Sequence, residues 1–219
     1  MVTNTTSRSR AMLVERLRGY GLEAEPEELF TATVAGSVLA LAAGYRRIAP
    51  FIQEPALDDL AELELVGGTS SRGGAAPEAV IVGDLGERWS YGLLQEAFEY
   101  LMEGAALIAL SKDRYWLNGD RLALDAGPFV IALEFATGKP AQVAGKPSPS
   151  FYAAALQSLG IRSADSVAMV GDDVWSDVEG AQRAGLQGWL VRTGKFRESA
   201  LRESAVLPDR ILDSIAELG

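Results

Sequence analysis

Val167-Ala168-Met169-Val170-Gly171-Asp172-Asp173-Val174-Trp175-Ser176-Asp177 is the stretch on which the fold turns. An apolar run of strand length meets a glycine, then acids, then a segment leading into a helix that runs to about Ala184. Strand, glycine, acid and helix in that order belong to a parallel α/β sheet, whose ligand sites lie beyond the carboxyl ends of the strands. Three acids within six residues suit a hard cation such as Mg²⁺, which takes one or two protein carboxylates and leaves its other positions to water and phosphate. Asp172 is the candidate direct ligand, with Asp177 and, more weakly, Asp173 supporting it from behind. The same residues have a plainer reading, in which Asp172 or Asp173 caps the following helix and Asp177 is a solvated acid.

One strand-helix unit earlier stands Gly145-Lys146-Pro147-Ser148-Pro149. A lysine held before two prolines is outside any helix interior and is placed to meet a phosphate as a point charge. At the other end of the chain, Val2-Thr3-Asn4-Thr5-Thr6-Ser7 ends a strand and enters a helix capped by Ser7 or Ser9. Hydroxyls, an amide and helix-terminal N–H groups there form a candidate anion site. Arg8 and Arg10 oppose the helix dipole unless an acid or anion lies close.

Between these motifs the chain alternates short apolar strands with amphipathic helices. Helices are expected from Ser9 to about Arg18, from Pro26, from about Val34 to Ala43, from Ser90 through Met102, from Pro128 and from Pro149 to Leu159. A closing helix is expected from Ile211 to Leu218. Strands are expected at 63–66, 79–82, 106–110, 141–144, 167–170 and 189–191, with a glycine-rich loop at 67–74. Leu93, Leu94, Ala97, Phe98, Leu101 and Met102 are expected to share one core-facing stripe. Composition narrows the chemistry. The 219 residues contain no cysteine and no histidine. Disulfides, thiolate metal sites and His-based acid-base or nucleophilic chemistry on this chain are therefore excluded. A net charge of −10 speaks against nucleic acid as a partner. No apolar run is long enough to span a bilayer, and no membrane association is expected. A cytoplasmic location follows as the expectation.

The three motifs in this order resemble those of the haloacid dehalogenase (HAD) superfamily. VTNTTSRSR is similar to its second motif, GKPSPSFY to its third and GDDVWSDVEGAQRAG to its fourth. With KDRYW, GPFVIALEFATG and VRTGKF, the likeness covers nearly the whole chain. It points to the NagD-like branch with a large cap, and within that to phospholysine phosphohistidine inorganic pyrophosphate phosphatase-like members. It implies a Rossmann-like parallel core at 1–48 and 139–219, lacking the strand of the first motif, with an inserted α/β cap at 49–138. The implied activity is Mg²⁺-dependent hydrolysis of phosphoric monoesters, phosphoamides or pyrophosphate in small substrates. By the same resemblance Thr3 and Asn4 bind the phosphoryl group, Lys146 stabilises its charge, Asp172 binds Mg²⁺ directly, and Asp177 and Asp173 support the metal. Asp84, Arg88, Trp89, Lys112, Arg114 and Tyr115 are cap positions from which substrate could be met.

The family's first motif, Asp-x-Asp-Gly, supplies the nucleophile and the general acid/base, and no segment here has that form. Asp58-Asp59 and Gly83-Asp84-Leu85-Gly86 come nearest. The expectation is that this start is internal to a longer gene product, and that without the missing motif the chain is inactive. The alternatives are a short form that completes its sheet with another chain, a homodimer being the arrangement an open strand edge favours, and a non-catalytic homologue that binds a phosphate ligand or a partner. A receiver-like domain, also marked by Asp pairs, Thr and Lys, fits poorly with the long stretch between Thr3 and Lys146.

Overall fold

The computed structural model describes residues 1–70, 72–118 and 120–218. The chain forms two compact units, Met1–Gly145 and Lys146–Gly219.

The first unit opens with β1 (Val2–Thr3) and α1 (Arg10–Arg18), followed by a single 3-10 turn at Pro26–Glu28. Proline at the start and a Glu25–Glu28 capping box favour helix there, but the chain passes directly into β2 (Phe30–Thr31), so the expected helix is one turn long. β1 and β2 pair in parallel, Thr3 opposite Thr31. α2 (Ala32–Ala42) follows, capped by the Thr31 hydroxyl, which accepts from the Val34 N–H at 3.1 Å. Then come β3 (Arg47–Phe51), β4 (Glu64–Leu65), β5 (Ala79–Val82), α3 (Tyr91–Met102) and β6 (Ala106–Ala109). The hairpin β7 (Tyr115–Asn118) and β8 (Arg121–Leu124) precedes α4 (Gly127–Thr137) and β9 (Gln142–Val143).

Five of these strands make one parallel sheet in the order β4-β3-β5-β6-β9. Ala49, Phe51, Val80, Val82, Leu107 and Ala109 meet α3 and α4 in one core, through Ala97, Leu101, Val130 and Leu133. The alternate residues Ile48, Ile81 and Ile108 are equally buried. Burial on both faces is why these strands read as unbroken apolar runs. The Ser90 hydroxyl caps α3 through the Leu93 N–H, as its sequence implies. Met102, expected in the core stripe, is instead 58% exposed, while Leu101 beside it in the same last turn is fully buried.

β3 lies outside the expected strands, and its Pro50 marks a break along the sequence. The structure shows why proline is tolerated in a central strand. Along β3 the bonding direction alternates. Phe51 accepts from Gly83 on the β5 side, and Ile48 from Val66 on the β4 side. Pro50 faces the β4 side, where β4 has already ended at Leu65. No ladder donor is lost there, and the Pro50 carbonyl accepts from the Thr69 hydroxyl at 3.0 Å. The glycine-rich loop of 67–74, of which Ser71 lies outside the described residues, starts on Gly67 and Gly68 with φ of 61° and 54°. A Cβ on Gly68 would stand 2.2 Å from the Pro50 oxygen, so glycine is required.

The second unit contains α5 (Pro149–Ser158), β10 (Ala168–Gly171), α6 (Gly180–Arg183), β11 (Gln187–Val191), α7 (Glu198–Glu203) and β12 (Arg210–Leu212). Its sheet is parallel in the order β10-β11-β12, with β10 at an edge and half-buried along its length. A π-helical turn, Val174–Glu179, joins β10 to α6. The expected closing helix is a strand, β12, followed by one 3-10 turn at Ile215–Leu218. Ile211 and Leu212 prefer the ladder against β11, and Asp213 and Ser214 then end the strand through N–H bonds to the Glu217 carboxylate.

Candidate functional site

In the second unit the strand-glycine-acid sequence builds a dense polar cluster. β10 delivers Asp172 and Asp173 at its carboxyl end. Asp173 caps the π-helical turn: its Oδ1 accepts from the Trp175 and Ser176 N–H groups at 3.1 and 3.0 Å. The capping reading of the loop is therefore real for Asp173. Asp177, one turn on, is 4% exposed, so the solvated reading fails for it. Its Oδ2 accepts from the Asp173 N–H at 3.1 Å and its Oδ1 from Lys146 Nζ at 2.5 Å. The glycine before the acids exists to admit this carboxylate: a Cβ on Gly171 would sit 2.2 Å from Asp177 Oδ2.

Tyr152 of α5 locks the same turn. Its buried hydroxyl donates to the Ser176 carbonyl at 2.5 Å, with the Asp177 carbonyl 3.3 Å away. Burial, then the nearby Asp177 and Asp173 charges, push the phenol far above its ordinary range, so it remains a donor at any physiological pH. Close approach is possible because Gly180 has no side chain; a Cβ there would meet Pro147 at 2.9 Å and the Tyr152 ring at 3.1 Å. The Lys146-Pro147 peptide is cis.

Asp172 points elsewhere. Its Oδ2 accepts from the Lys195 N–H at 2.8 Å, and Gly194, at φ 57°, could not carry a Cβ without striking that oxygen. The Thr193-Gly194-Lys195 turn after β11 thus holds the carboxylate that the sequence marks as a metal ligand. Neither this turn's hold on Asp172 nor the role of Tyr152 is read from the sequence alone. A Thr-Gly-Lys directly after a strand was the available signal for the first. None existed for the second, since a tyrosine in an amphipathic helix reads as packing.

This donor set fits a hard divalent cation in part. Among the described residues no group of three or more carboxylates could hold a metal by itself. Both oxygens of Asp177 and the Oδ1 of Asp173 already accept hydrogen bonds, while Asp172 engages its N–H donor through Oδ2 alone. One carboxylate oxygen at a strand end is a reasonable share of a Mg²⁺ shell completed by water, phosphate and another carboxylate.

In the first unit, the loop after β1 forms a second polar cluster. Thr3 Oγ1 lies 2.9 Å from Thr5 Oγ1 and accepts from the Thr5 N–H. The buried Thr6 hydroxyl accepts from the Asp84 N–H at 3.0 Å, just past the end of β5. Asn4 lies against Gly145, where a Cβ would come within 2.8 Å of its Oδ1. The loop therefore sits at the carboxyl ends of β5 and β9, where an α/β sheet places its ligands. The anion expected at the start of α1 is a carboxylate of the chain itself. Asp59 accepts from the Arg10 N–H at 3.1 Å and from the Arg10 guanidinium at 3.4 Å. That acid answers the unfavourable Arg10, and it occupies the helix terminus.

Of the cap candidates, Trp89 is stacked between Phe51 and Phe129, with ring centroids 6.1 and 4.6 Å away. It is packing. Lys112 binds both oxygens of Glu134 at 3.0 and 2.9 Å. Arg114 lies over the Tyr115 ring. Arg88 is exposed, and the Asp84 carboxylate accepts from the Gly86 N–H at 2.8 Å.

Residues 143–218 match the HAD-hydrolase-like family model. Haloacid dehalogenase-like hydrolase domain-containing protein 2 of Homo sapiens is 42% identical over 199 residues, covering 90% of this chain and 72% of that protein. Phospholysine phosphohistidine inorganic pyrophosphate phosphatase of Homo sapiens is 37% identical over 219 residues, 98% of this chain and 76% of that one. Among solved structures, the glycerol phosphate phosphatase of Mycobacterium tuberculosis in complex with magnesium superposes with a TM-score of 0.83 at 29% identity, over 99% of this chain and 65% of that one. With these relatives and this order of strand-end motifs, the chain belongs to the haloacid dehalogenase-like hydrolase family.

Proposed function

We propose that the chain carries the phosphate-binding and metal-supporting machinery of a Mg²⁺-dependent phosphatase acting on small phosphorylated molecules. The observation that carries this reading is the Lys146 ammonium fixed at 2.5 Å on the buried Asp177, beside the strand-end Asp172. A lysine held by a carboxylate that is itself held by backbone is a preorganised positive charge, the kind of group that stabilises charge on a transferring phosphoryl oxygen. Support comes also from the relatives, one named for phospholysine, phosphohistidine and pyrophosphate, and from a structural neighbour solved with magnesium.

In this reading Thr3 and Asn4 donate to the phosphoryl oxygens and Lys146 neutralises their charge. Asp172 contributes one oxygen to Mg²⁺, while Asp177 and Asp173 orient the loop around it. The ion when bound supplies positive charge opposite the phosphoryl group. Asp177 acts on the reaction through Lys146, holding its amine in place. The nucleophile is the aspartate of an Asp-x-Asp-Gly segment, a form this sequence does not contain. Residues 49–138, with the greater part of β3, β4 to β6 and the hairpin, serve as the inserted specificity domain between core segments 1–48 and 139–219; the sheet itself runs from Arg47 in β3 to Gln142–Val143 in β9.

The test fuses the Asp-x-Asp-Gly segment of a relative ahead of Val2 and assays p-nitrophenyl phosphate hydrolysis with Mg²⁺. Activity is expected in the fusion and not in the 219-residue chain, and Lys146→Met in the fusion should abolish it. Equal activity in both chains would show that the nucleophile lies within residues 1–219. Phosphate binding with no hydrolysis in either chain would favour a non-catalytic homologue.

A further inference from the structure

Gly180 follows the π-helical turn Val174–Glu179, and its N–H takes acceptors that an α-helix would not give it. In an α-helix that N–H would bond the Ser176 carbonyl, four residues back along the chain. Here it goes to the carbonyls of Trp175 and Asp177. The Val178 N–H likewise passes over the α-helical acceptor and reaches the Asp173 carbonyl at 3.3 Å. The Ser176 carbonyl thus lacks the Gly180 donor of an α-helix. A donor comes to it from α5 instead, the Tyr152 hydroxyl at 2.5 Å. Tyr152 is 2% exposed, and its hydroxyl is held between this carbonyl and that of Asp177 at 3.3 Å.

The register of this turn decides where Asp177 points. A π turn fits an extra residue into one rotation, so its side chains stand at other angles than an α-helix of the same sequence would give them. In the π register the Asp177 carboxylate reaches back to the Asp173 N–H and out to Lys146 Nζ. The exit of the turn is set by close packing. A Cβ on Gly180 would meet Pro147 at 2.9 Å and the Tyr152 ring at 3.1 Å. Pro147 adjoins Lys146 in sequence, so Tyr152, the turn and the lysine segment converge at Gly180. A π turn is a rare choice of backbone, and its displaced carbonyls need donors from outside the helix.

We propose that Tyr152 is a positioning residue of the site: by bonding the Ser176 carbonyl, its hydroxyl selects the π register and so holds Asp177 against Lys146. It is not a catalytic residue, since it reaches the reacting groups only through Asp177 and Lys146. Its part in the reaction rests on the phosphatase reading above; its hold on the turn does not. Phenylalanine would fill the same space without the donor. The Ser176 carbonyl would then recapture the Gly180 N–H, the turn would relax toward α, and Asp177 would swing away from Lys146. A tyrosine that served packing alone would be replaced by phenylalanine without any of these changes.

The experiment compares the parent with Tyr152→Phe and with Ala155→Gly, a control that weakens α5 by helix propensity and removes no hydrogen bond to the turn. NMR couplings across hydrogen bonds name the acceptor of each amide in the 219-residue chain. The Gly180 N–H should couple to the Trp175 carbonyl in the parent and in Ala155→Gly, and to the Ser176 carbonyl in Tyr152→Phe. Hydrogen exchange of the Asp173 amide should speed up about tenfold in Tyr152→Phe alone, as the Asp177 carboxylate leaves it. In the active fusion, Tyr152→Phe should lower kcat for p-nitrophenyl phosphate about tenfold at an unchanged KM, while Ala155→Gly changes neither. An unshifted Gly180 coupling in Tyr152→Phe, or equal changes in both variants, would overturn the proposal. So would a shifted coupling with kcat unchanged, because the register would then not position the site. A parent fusion without activity would count against the phosphatase reading instead, and the NMR comparison would still decide whether Tyr152 sets the register.

Discussion

Lys146 Nζ stands 2.5 Å from Asp177 Oδ1, and the two side chains are only 11% and 6% exposed. Removing one member of a buried pair leaves the other charge without its counter-charge in a medium that solvates it poorly. Asp177→Asn keeps the shape, and can keep the bond from the Asp173 N–H, but deprives Lys146 of its counter-charge. The expected loss is about 3 kcal/mol of unfolding free energy. Lys146→Met is expected to cost a similar amount, and the double variant less than the sum. Urea unfolding of the four proteins makes the double-mutant cycle; strictly additive losses would mean that the two side chains are not coupled.

Gly171 gives the same cluster a steric test. Its φ is ordinary, so backbone strain is not the issue; the Cβ would overlap the Asp177 carboxylate at 2.2 to 2.5 Å. Gly171→Ala must therefore move Asp177, and with it Lys146. The cost expected is roughly 1–3 kcal/mol, the range for forcing atoms into a filled site. In the active fusion kcat should fall while KM changes little, because a shifted Lys146 weakens stabilisation of the transition state more than the binding of substrate. A variant as stable and as fast as the parent would remove Gly171 from the site.

The parts of this architecture legible in the sequence are those set by local chemistry. Ser90 before an apolar period, Pro149 at the start of α5 and Gly171-Asp172-Asp173 after an apolar strand each specify their structure within a few residues. What was not legible depends on distant partners. Pro50 reads as a break because its neighbour strand, ending at Leu65, is invisible along the chain. The start of α1 reads as an open anion site because the acid that fills it is Asp59, 49 residues away. Asp177 reads as a solvated acid or a metal support, and only the fold shows it buried on Lys146. The order of three motifs carried the family, while the working partners of each acid needed the coordinates.

Asp172 is the place to look for metal. With one oxygen of Asp172 offered to the ion, the 219-residue chain should bind Mg²⁺ weakly, with a Kd on the order of millimolar, a level at which binding contributes about 4 kcal/mol. Asp172→Asn should remove the calorimetric signal, whereas Asp173→Asn should reduce it only modestly, since Asp173 caps the π-helical turn. Mg²⁺ binding at micromolar concentration, insensitive to Asp172→Asn, would place the metal elsewhere.

Two carboxylates of the first unit should give stability opposite slopes with pH. Burial pushes the Asp59 carboxyl up from its ordinary 3.8, outweighing the Arg10 charge and the bonds from Arg10 and Thr31. A carboxyl raised by folding holds its proton more tightly folded than unfolded. Its stabilising contribution is complete below pH 3.8 and is lost as pH rises through the folded value. For Glu134, burial also pushes upward, but the Lys112 ammonium and the Ala141 N–H together pull the carboxyl below its ordinary 4.5. Its contribution is complete above pH 4.5 and is lost as pH falls through the folded value. Asp59→Asn should therefore gain stability relative to the parent as pH climbs from 3.8, and Glu134→Gln should lose it as pH climbs toward 4.5. Urea midpoints for the three proteins between about pH 3 and 7 read both slopes in the range where the carboxylates titrate. Parallel curves for all three would mean that neither carboxyl is perturbed by folding, and slopes of the same sign would mean that Asp59 is held by Arg10 more strongly than burial opposes it.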